Sequence, residues 1–181
     1  SAFHMYGGEI EALSEVHETH PTKNLYFTEQ WVGAPGNFAG DVAWHNETLI
    51  IGATRNWSKT VLEWNVAADE HQNPHTDRGG CDRCLGALTI IGDSVIRNPS
   101  YYIIAQASKF VPPGSVRIAS TALENVPNVA FKTSVGALVT ILQNKETTTK
   151  TIEIQLGETA VFVEMPAKSI GTLVFKDPNK S

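Results

Sequence analysis

The sequence predicts an α/β fold followed by an all-β fold: the last part of a parallel α/β barrel, then an antiparallel β-sandwich. Up to residue 106, strand-like runs alternate with helical patterns, which is typical of a parallel α/β arrangement. From residue 107 onward, short β-rich runs follow one another between turn residues, which is typical of an antiparallel sandwich. We therefore expect two domains, residues 1–106 and residues 107–181.

The first half contains helical patterns between its strand-like runs. In "EIEALSEVHET", Ile10, Leu13 and Val16 recur at helical spacing. A second helix is predicted in "DVAWHNETLIIGATRN", with Asp41 as its N-cap, and a last one in "SYYIIAQASKF". The strand-like runs are "AFHMY", "NLYFTE" and "KTVLEWNV". Three strands do not close a barrel, since a complete (β/α) barrel needs about 250 residues. We therefore expect the tail end of a larger barrel.

The second half reads as six strands after the turn "VPPGS". Several of the runs alternate apolar and polar residues, as strands with one buried face do. The predicted strands are "SVRIAS", "NVAFKT", "GALVTILQN", "TKTIEIQL", "ETAVFVEM" and "GTLVFK".

Composition narrows the classes of function. Hydrophobic residues make up 41% of the chain and charged residues 18%, which is ordinary for a globular protein. The net charge of -5 gives no reason to expect a nucleic-acid partner. The longest apolar runs are too short to cross a bilayer, so no membrane span is expected.

The stretch "NLYFTEQWVG" ends a buried strand on a carboxylate, Glu29, which is followed at once by Gln30 and Trp31. A glutamate in this place is either a solvated strand end or a reactive group. In α/β barrels the active site lies at the carboxyl ends of the strands, where a side chain is fixed by the sheet and still faces the cleft. This rule keeps a reactive role open for Glu29, although a glutamate at a strand end is more often simply solvated.

Four motifs in order, "HMY", "TEQWVG", "LEWNV" and "SKFVPPGSVRI", together with the closing "MPAKSIGTLVF", resemble the C-terminal portion of glycoside hydrolase family 30. That family includes glucosylceramidases and β-glucanases. The resemblance implies a (β/α)8 TIM barrel followed by a β-sandwich, with "AFHMY", "LYFTE" and "TVLEWN" as barrel strands six to eight. It also implies a retaining O-glycosyl hydrolase that cleaves β-glucosides or β-glucan with two carboxylates.

The resemblance assigns roles to individual residues. Glu29 would be the nucleophile, and Tyr6 the phenol that hydrogen-bonds to it. His4 would point the same way as Tyr6, because side chains two apart on a strand share a face. Trp64 would wall the sugar subsite and Asn65 would contact a hydroxyl, while Trp31 would shape the aglycone side of the site.

The acid/base glutamate that the family places on strand four, in an Asn-Glu pair, has no counterpart here. Asn46-Glu47 is the only such dipeptide, and it falls in a predicted helix. The resemblance therefore implies a fragment that is inactive without the missing N-terminal part of the barrel. It implies no metal and no cofactor, because the two carboxylates perform the chemistry. We expect a secreted, periplasmic or cell-surface protein, and self-association or pairing with the missing part.

Two other functions are open. The chain could be a non-catalytic carbohydrate-binding module that uses the sandwich, which would require exposed aromatic rings there. Beyond Ala119 only Phe131, Phe162 and Phe175 are available, and there is no Trp or Tyr. The chain could also be a structural fragment that binds nothing.

The loop "HQNPHTDRGGCDRC" permits several arrangements. His71, His75, Cys81 and Cys84 would make a His2Cys2 zinc site. The alternatives are a Cys81–Cys84 disulfide, which suits an exported protein, or two free thiols.

Overall fold

The computed structural model describes residues 1–176, which include two compact units. The first unit comprises Ser1–Ala105 and the second begins at Gln106. Among the described residues, no helix combines the length and the apolar character that a membrane span requires.

The first unit is built on a three-stranded parallel sheet in the order β1-β2-β4. One helix connects the first two strands, and a helix that continues as a π-helical segment connects the next two. A final helix, α3, spans Pro99–Ser108. The sheet elements and their connections are β1 (Ala2–His4), α1 (Ala12–Thr19), β2 (Leu25–Glu29), α2 (Phe38–His45), the π-helical segment (Asn46–Ala53) and β4 (Ser58–Val61). This order confirms the α/β prediction for the first half of the chain.

The core of the first unit explains why β2 forms where it does. Leu25 and Phe27 are fully buried, whereas Tyr26 between them is exposed, as alternation along a strand requires. The two buried side chains pack with Leu13 and Leu49 from the connecting helical segments. Burial of each such side chain stabilises the fold by about 1.5–3 kcal/mol. This packing fixes β2 in the middle of the sheet, with Glu29 as its last residue.

The predicted N-cap of the second helix is wrong. Asn37, not Asp41, caps α2: its side-chain Oδ1 accepts a hydrogen bond of 3.1 Å from the Gly40 N–H. Asp41 lies in the first turn, and its carboxylate accepts a hydrogen bond of 2.7 Å from the Asn37 N–H. The helix begins four residues earlier than predicted because Asn37 satisfies one of the free N–H groups of the first turn.

Two further small sheets are present in the first unit. One is the antiparallel pair of β3 and β6, and the other combines a parallel pair with a hairpin that was not predicted. The hairpin turns at Gly92, which has a φ of 55°. The strands are β3 (Val32–Gly33), β5 (Ala67–Ala68), β6 (Cys84–Leu85), β7 (Leu88–Ile91) and β8 (Ser94–Arg97).

The second unit contains the six predicted strands. Four form an antiparallel sheet in the order β14-β11-β10-β9, and the other two form an antiparallel hairpin. Side chains from both contribute to one core, which contains Val126, Leu142, Ile152 and Met165. The strands are β9 (Val116–Ile118), β10 (Asn128–Lys132), β11 (Leu138–Gln143), β12 (Lys150–Leu156), β13 (Thr159–Met165) and β14 (Ile170–Phe175). The predicted antiparallel β-sandwich is confirmed.

Candidate active site

The candidate site lies at the carboxyl ends of the three parallel strands. His4 ends β1 and is paired in register with Glu29, which ends β2. Beyond the next strand, Trp64 forms an isolated parallel bridge with Trp31. Parallel strands present their carboxyl ends at one edge of the sheet, so residues distant in sequence meet there.

Two side chains of the first strand region face the Glu29 carboxylate. The Tyr6 hydroxyl donates a hydrogen bond of 2.8 Å to Glu29 Oε1. His4 Nδ1 lies 3.9 Å from the same oxygen, and the His4 and Tyr6 rings meet edge to face with centroids 5.7 Å apart. The Glu29 side chain is 33% exposed. The carboxylate is therefore held from one side and accessible to a ligand.

The ionisation of Tyr6 is shifted by this arrangement. Although Tyr6 is 56% exposed, partial desolvation, the hydrogen bond to Glu29 and the charges of Glu29 and Glu63 raise the pKa of Tyr6 to about 12. All of these causes favour the neutral phenol. Tyr6 therefore keeps its proton and donates it to Oε1 throughout the ordinary pH range.

Gln30 fixes the chain immediately after Glu29, and the sequence analysis assigned it no role. The residue is buried, its Nε2 donates to the Met5 carbonyl at 2.6 Å, and its Oε1 accepts from the Trp31 N–H at 2.9 Å. Its position between the partly exposed Glu29 and Trp31 was the available signal, because strand alternation places its side chain on the opposite side.

Trp64 and Asn65 follow the third strand. The Trp64 N–H donates to the Gln30 carbonyl at 2.7 Å, and the Trp64 side chain is exposed. The Trp64–Asn65 peptide bond is cis. Asn65 Oδ1 is buried and has no hydrogen-bond partner within residues 1–176.

The sequence analysis missed a buried polar pair formed by His45 and Glu63, the residue directly before Trp64. Nδ1 of His45, at the end of α2, is 2.7 Å from Oε1 of Glu63, and the two side chains are only 6% and 3% exposed. Burial raises the pKa of Glu63, and the hydrogen bond and charge of His45 oppose the shift. The pattern of apolar and polar residues does not reveal such a pair, because its two members are 18 residues apart and only the fold brings them together.

The loop between β5 and β6 carries a disulfide bond. Cys81 and Cys84 are joined at 2.07 Å, so the disulfide is the arrangement present, and the His2Cys2 zinc alternative is excluded because the bond uses two of its four ligands. The Arg83 carbonyl accepts a hydrogen bond of 2.7 Å from the Ala34 N–H, which attaches the loop to the segment after Trp31. The Arg83 guanidinium lies over the Trp31 ring, 5.3 Å from its centroid.

Asn46 and Glu47 lie in the π-helical segment between β2 and β4 rather than at a strand end. Glu47 therefore does not occupy the strand-end position that the resemblance gives to the acid/base glutamate. Glu29 is the carboxylate that the structure places at a strand end beside Tyr6 and His4.

Comparisons with known proteins agree with this architecture. Residues 114–173 match the model of the glycosyl hydrolase family 30 beta sandwich domain. Endo-1,6-beta-D-glucanase neg1 of Aspergillus fumigatus is 36% identical over 118 residues, which cover 64% of this chain and 23% of that protein. Lysosomal acid glucosylceramidase of Mus musculus is 25% identical over 145 residues, which cover 74% of this chain and 27% of that protein.

Among solved structures, the endo-beta1,6-glucanase BT3312 superposes with a TM-score of 0.89 and 33% identity over 97% of this chain and 40% of that one. The chain thus spans well under half the length of these relatives. The family model, the glucanase and glucosylceramidase relatives and the barrel-plus-sandwich architecture agree with one another. Residues 114–173 therefore form a glycosyl hydrolase family 30 beta sandwich domain, and the chain resembles the C-terminal portion of family 30 enzymes.

Proposed function

We propose that this chain supplies the nucleophile of a retaining β-glycosidase that hydrolyses β-glucosides or β-glucan, with Glu29 as that nucleophile. The observation that supports this most directly is the Glu29 carboxylate at the end of β2, held through Oε1 by the Tyr6 hydroxyl at 2.8 Å. Within residues 1–176, no hydrogen bond is made to Oε2, which leaves that oxygen to react. Similarity to proteins named endo-1,6-beta-D-glucanase favours a 1,6-linked glucan.

In this proposal, Oε2 of Glu29 attacks the anomeric carbon while the bond to the leaving oxygen breaks with its electron pair. A second carboxyl group protonates that oxygen. Water then attacks the glycosyl-Glu29 ester, the second carboxylate takes its proton, and the free Glu29 carboxylate is restored. Tyr6 holds the nucleophile, His4 lies beside it, and Trp64 offers an indole face to the sugar.

We propose that the second carboxyl group comes from a part of the protein outside these 181 residues. Retaining enzymes hold their two carboxyl groups about 5–5.5 Å apart. Residues 1–106 would then be part of the catalytic barrel and residues 107–181 its sandwich domain. The chain alone would not cleave a glucan, because an alkoxide leaves poorly without a proton.

A reagent with a good leaving group tests Glu29 without the missing acid. We expect 2,4-dinitrophenyl 2-deoxy-2-fluoro-β-glucoside to form a covalent adduct on Glu29, because dinitrophenolate departs unprotonated and the fluorine slows hydrolysis of the ester. Peptide mapping by mass spectrometry locates the adduct. Glu29→Gln should abolish labelling and the control Glu47→Gln should keep it. Absence of an adduct on the folded chain, or an adduct elsewhere, would overturn the proposal.

The sandwich-binding alternative has less support. Phe162 is 66% exposed, but Phe131 is buried and Phe175 is only partly exposed. A single exposed ring is a poor sugar platform. Glucan affinity can be measured for Phe162→Ala and for the unsubstituted chain. Equal affinities would exclude this alternative.

We also propose an exported protein, secreted or at the cell surface, because disulfide bonds persist in oxidising compartments. Measuring free thiols in the freshly isolated native protein tests this: a fully reduced Cys81–Cys84 pair would contradict it. Self-association of the chain through its sheet edge is proposed as well, and light scattering that finds a monomer would discard it.

A further inference from the structure

We propose that Arg83 and Trp31 form a sugar-binding subsite on the aglycone side of Glu29, which takes the glucosyl unit next to the scissile bond. The inference rests on the proposed function, because it uses Glu29 as the reacting centre. No role for Arg83 follows from the family resemblance or from the names of the relatives.

The position of Trp31 relative to Glu29 is the first step. Glu29 and Trp31 are two residues apart with the buried Gln30 between them, so both side chains face the accessible side of the strand end. Trp31 is partly exposed. Its backbone is held by the hydrogen bond from its N–H to Gln30 Oε1 and by the bridge to Trp64.

The Trp31 ring rests against the backbone that follows it. A Cβ atom at Gly33 would lie only 2.9 Å from Trp31 Cζ3. Real Cβ atoms do not approach this closely, so the ring position depends on a glycine at residue 33. The backbone at Gly33 therefore supports the Trp31 indole on one side, and Arg83 lies next to its accessible part.

Arg83 supplies the polar component. Its guanidinium lies 5.3 Å from the Trp31 ring centroid, and the residue is exposed. Within the described part of the chain, the guanidinium has no hydrogen-bond or ion-pair partner in the structure. Its planar set of N–H donors is thus available to a ligand that lies on the indole.

The loop holds Arg83 in place by a covalent and a hydrogen-bonded constraint. The Cys81–Cys84 bond closes a ring that contains Arg83. The Arg83 carbonyl accepts from the Ala34 N–H, and the next residue begins β6, which pairs with β3. Because β3 directly follows Trp31, the same ladder fixes both members of the subsite.

The chemistry of the pair suits a neutral glucosyl unit. An aromatic ring packs on the apolar C–H face of a pyranose, and a guanidinium donates hydrogen bonds to adjacent hydroxyls. A sugar bound there would be oriented by both groups. Since Trp64 and Trp31 flank Glu29 from different strand ends, we assign the glycone to the Trp64 side and the aglycone to the Trp31 side.

The test separates the two sides of the site. Glu29 is first labelled with the fluoroglucosyl reagent, which fills the glycone side, and binding of gentiobiose, a β-1,6-linked glucose disaccharide, is then measured by titration calorimetry on the full 181-residue chain. We expect Arg83→Ala to weaken binding about tenfold and Arg83→Lys to weaken it less. The double variant Cys81→Ser, Cys84→Ser should weaken it as well.

Arg97→Ala is the matched control, because Arg97 lies over the Tyr101 ring at 5.1 Å, in the hairpin rather than beside Glu29. The affinity of Arg97→Ala for gentiobiose should equal that of the unsubstituted chain. Equal affinity in Arg83→Ala and the unsubstituted chain would overturn the subsite, even if Glu29 is labelled. If Glu29 is not labelled, the proposed function fails, and gentiobiose titration of the unlabelled chain still decides whether Arg83 contributes to sugar binding.

Discussion

His45 and Glu63 form a hydrogen-bonded pair that is almost completely shielded from water, with 2.7 Å between Nδ1 and Oε1. One belongs to the end of α2 and the other to the segment that leads from β4 to Trp64. The pair therefore ties a helix to the strand end that carries a proposed sugar platform. Glu63 Oε2 is buried without a partner within residues 1–176.

The raised pKa of Glu63 predicts a pH-dependent stability. Because burial disfavours the ionised form in the folded state, the folded chain binds a proton more tightly than the unfolded chain does. The free energy of unfolding should therefore fall as pH rises from the ordinary pKa of a glutamate, about 4.3, through the higher folded pKa. Each unit of pKa difference contributes about 1.4 kcal/mol.

Glu63→Gln should remove this component, because an amide does not titrate and can still hydrogen-bond to His45. Urea denaturation of both chains at a series of pH values measures the difference. Glu158→Gln, an exposed carboxylate in the turn between β12 and β13, serves as control and should leave the pH profile unchanged. Parallel profiles for Glu63→Gln and the unsubstituted chain would contradict the prediction.

The proton on Tyr6 provides a second prediction. Glu29→Gln removes the carboxylate that accepts its hydrogen bond and opposes its ionisation, so the pKa of Tyr6 should fall from about 12 toward its usual value of about 10. Titration of ¹³C-labelled tyrosine rings by NMR measures it, with the signal assigned by Tyr6→Phe. The signals of Tyr101 and Tyr102 are internal controls. A Tyr6 pKa that stays near 12 in Glu29→Gln would show that the carboxylate is not a cause.

The sequence predicts best where an apolar run coincides with a recognisable motif. The run that contains Leu25 and Phe27 predicts β2, and the family resemblance selects Glu29 at its end, which the structure places next to Tyr6. The hairpin of β7 and β8 was missed although Gly92-Asp93 is a turn signal between two apolar runs. Local information is therefore sufficient to predict this hairpin.

Buried polar contacts could not be predicted in the same way. Glu63 looks like any strand-flanking carboxylate until His45 is brought against it by the packing of α2. The first residue of α2 is also hard to predict, because Asn37 and Asp41 are both good capping residues. Only the three-dimensional path of the chain decides which of them caps the helix. Pairing between distant segments, rather than propensity, determines both outcomes.

The N-cap of α2 predicts a local stability effect. Asn37→Ala removes the acceptor for the Gly40 N–H and should lower the free energy of unfolding by about 1 kcal/mol. Asn37→Asp should preserve most of it, because a carboxylate accepts the same hydrogen bond. Thermal and urea denaturation of the three chains provide the measurement. A loss in Asn37→Asp as large as in Asn37→Ala would argue against the capping role.

Replacement of Gln30 should cause the largest loss in the free energy of unfolding among the variants considered. Its buried amide donates to the Met5 carbonyl and accepts from the Trp31 N–H, so Gln30→Leu leaves two backbone groups without a partner. Each buried group left unpaired costs about 1–3 kcal/mol, and we expect a total loss of about 2–4 kcal/mol in urea denaturation. Because the same contacts orient the chain on both sides of Glu29, labelling of Glu29 by the fluoroglucosyl reagent should also slow.

Gln30→Glu separates the two contacts. Its carboxylate still accepts from the Trp31 N–H, but it presents an oxygen rather than a donor to the Met5 carbonyl unless it is protonated. Burial would raise the pKa of this glutamate in the folded state, so the loss should be large at pH 7 and diminish as the pH falls toward the unfolded value of about 4.3. Gln30→Leu, which does not titrate at this position, is the control, and the change with pH of the loss in Gln30→Glu beyond any change in Gln30→Leu reports the Met5 contact. A loss in Gln30→Glu that does not change with pH would mean that this contact is not what holds the strand end.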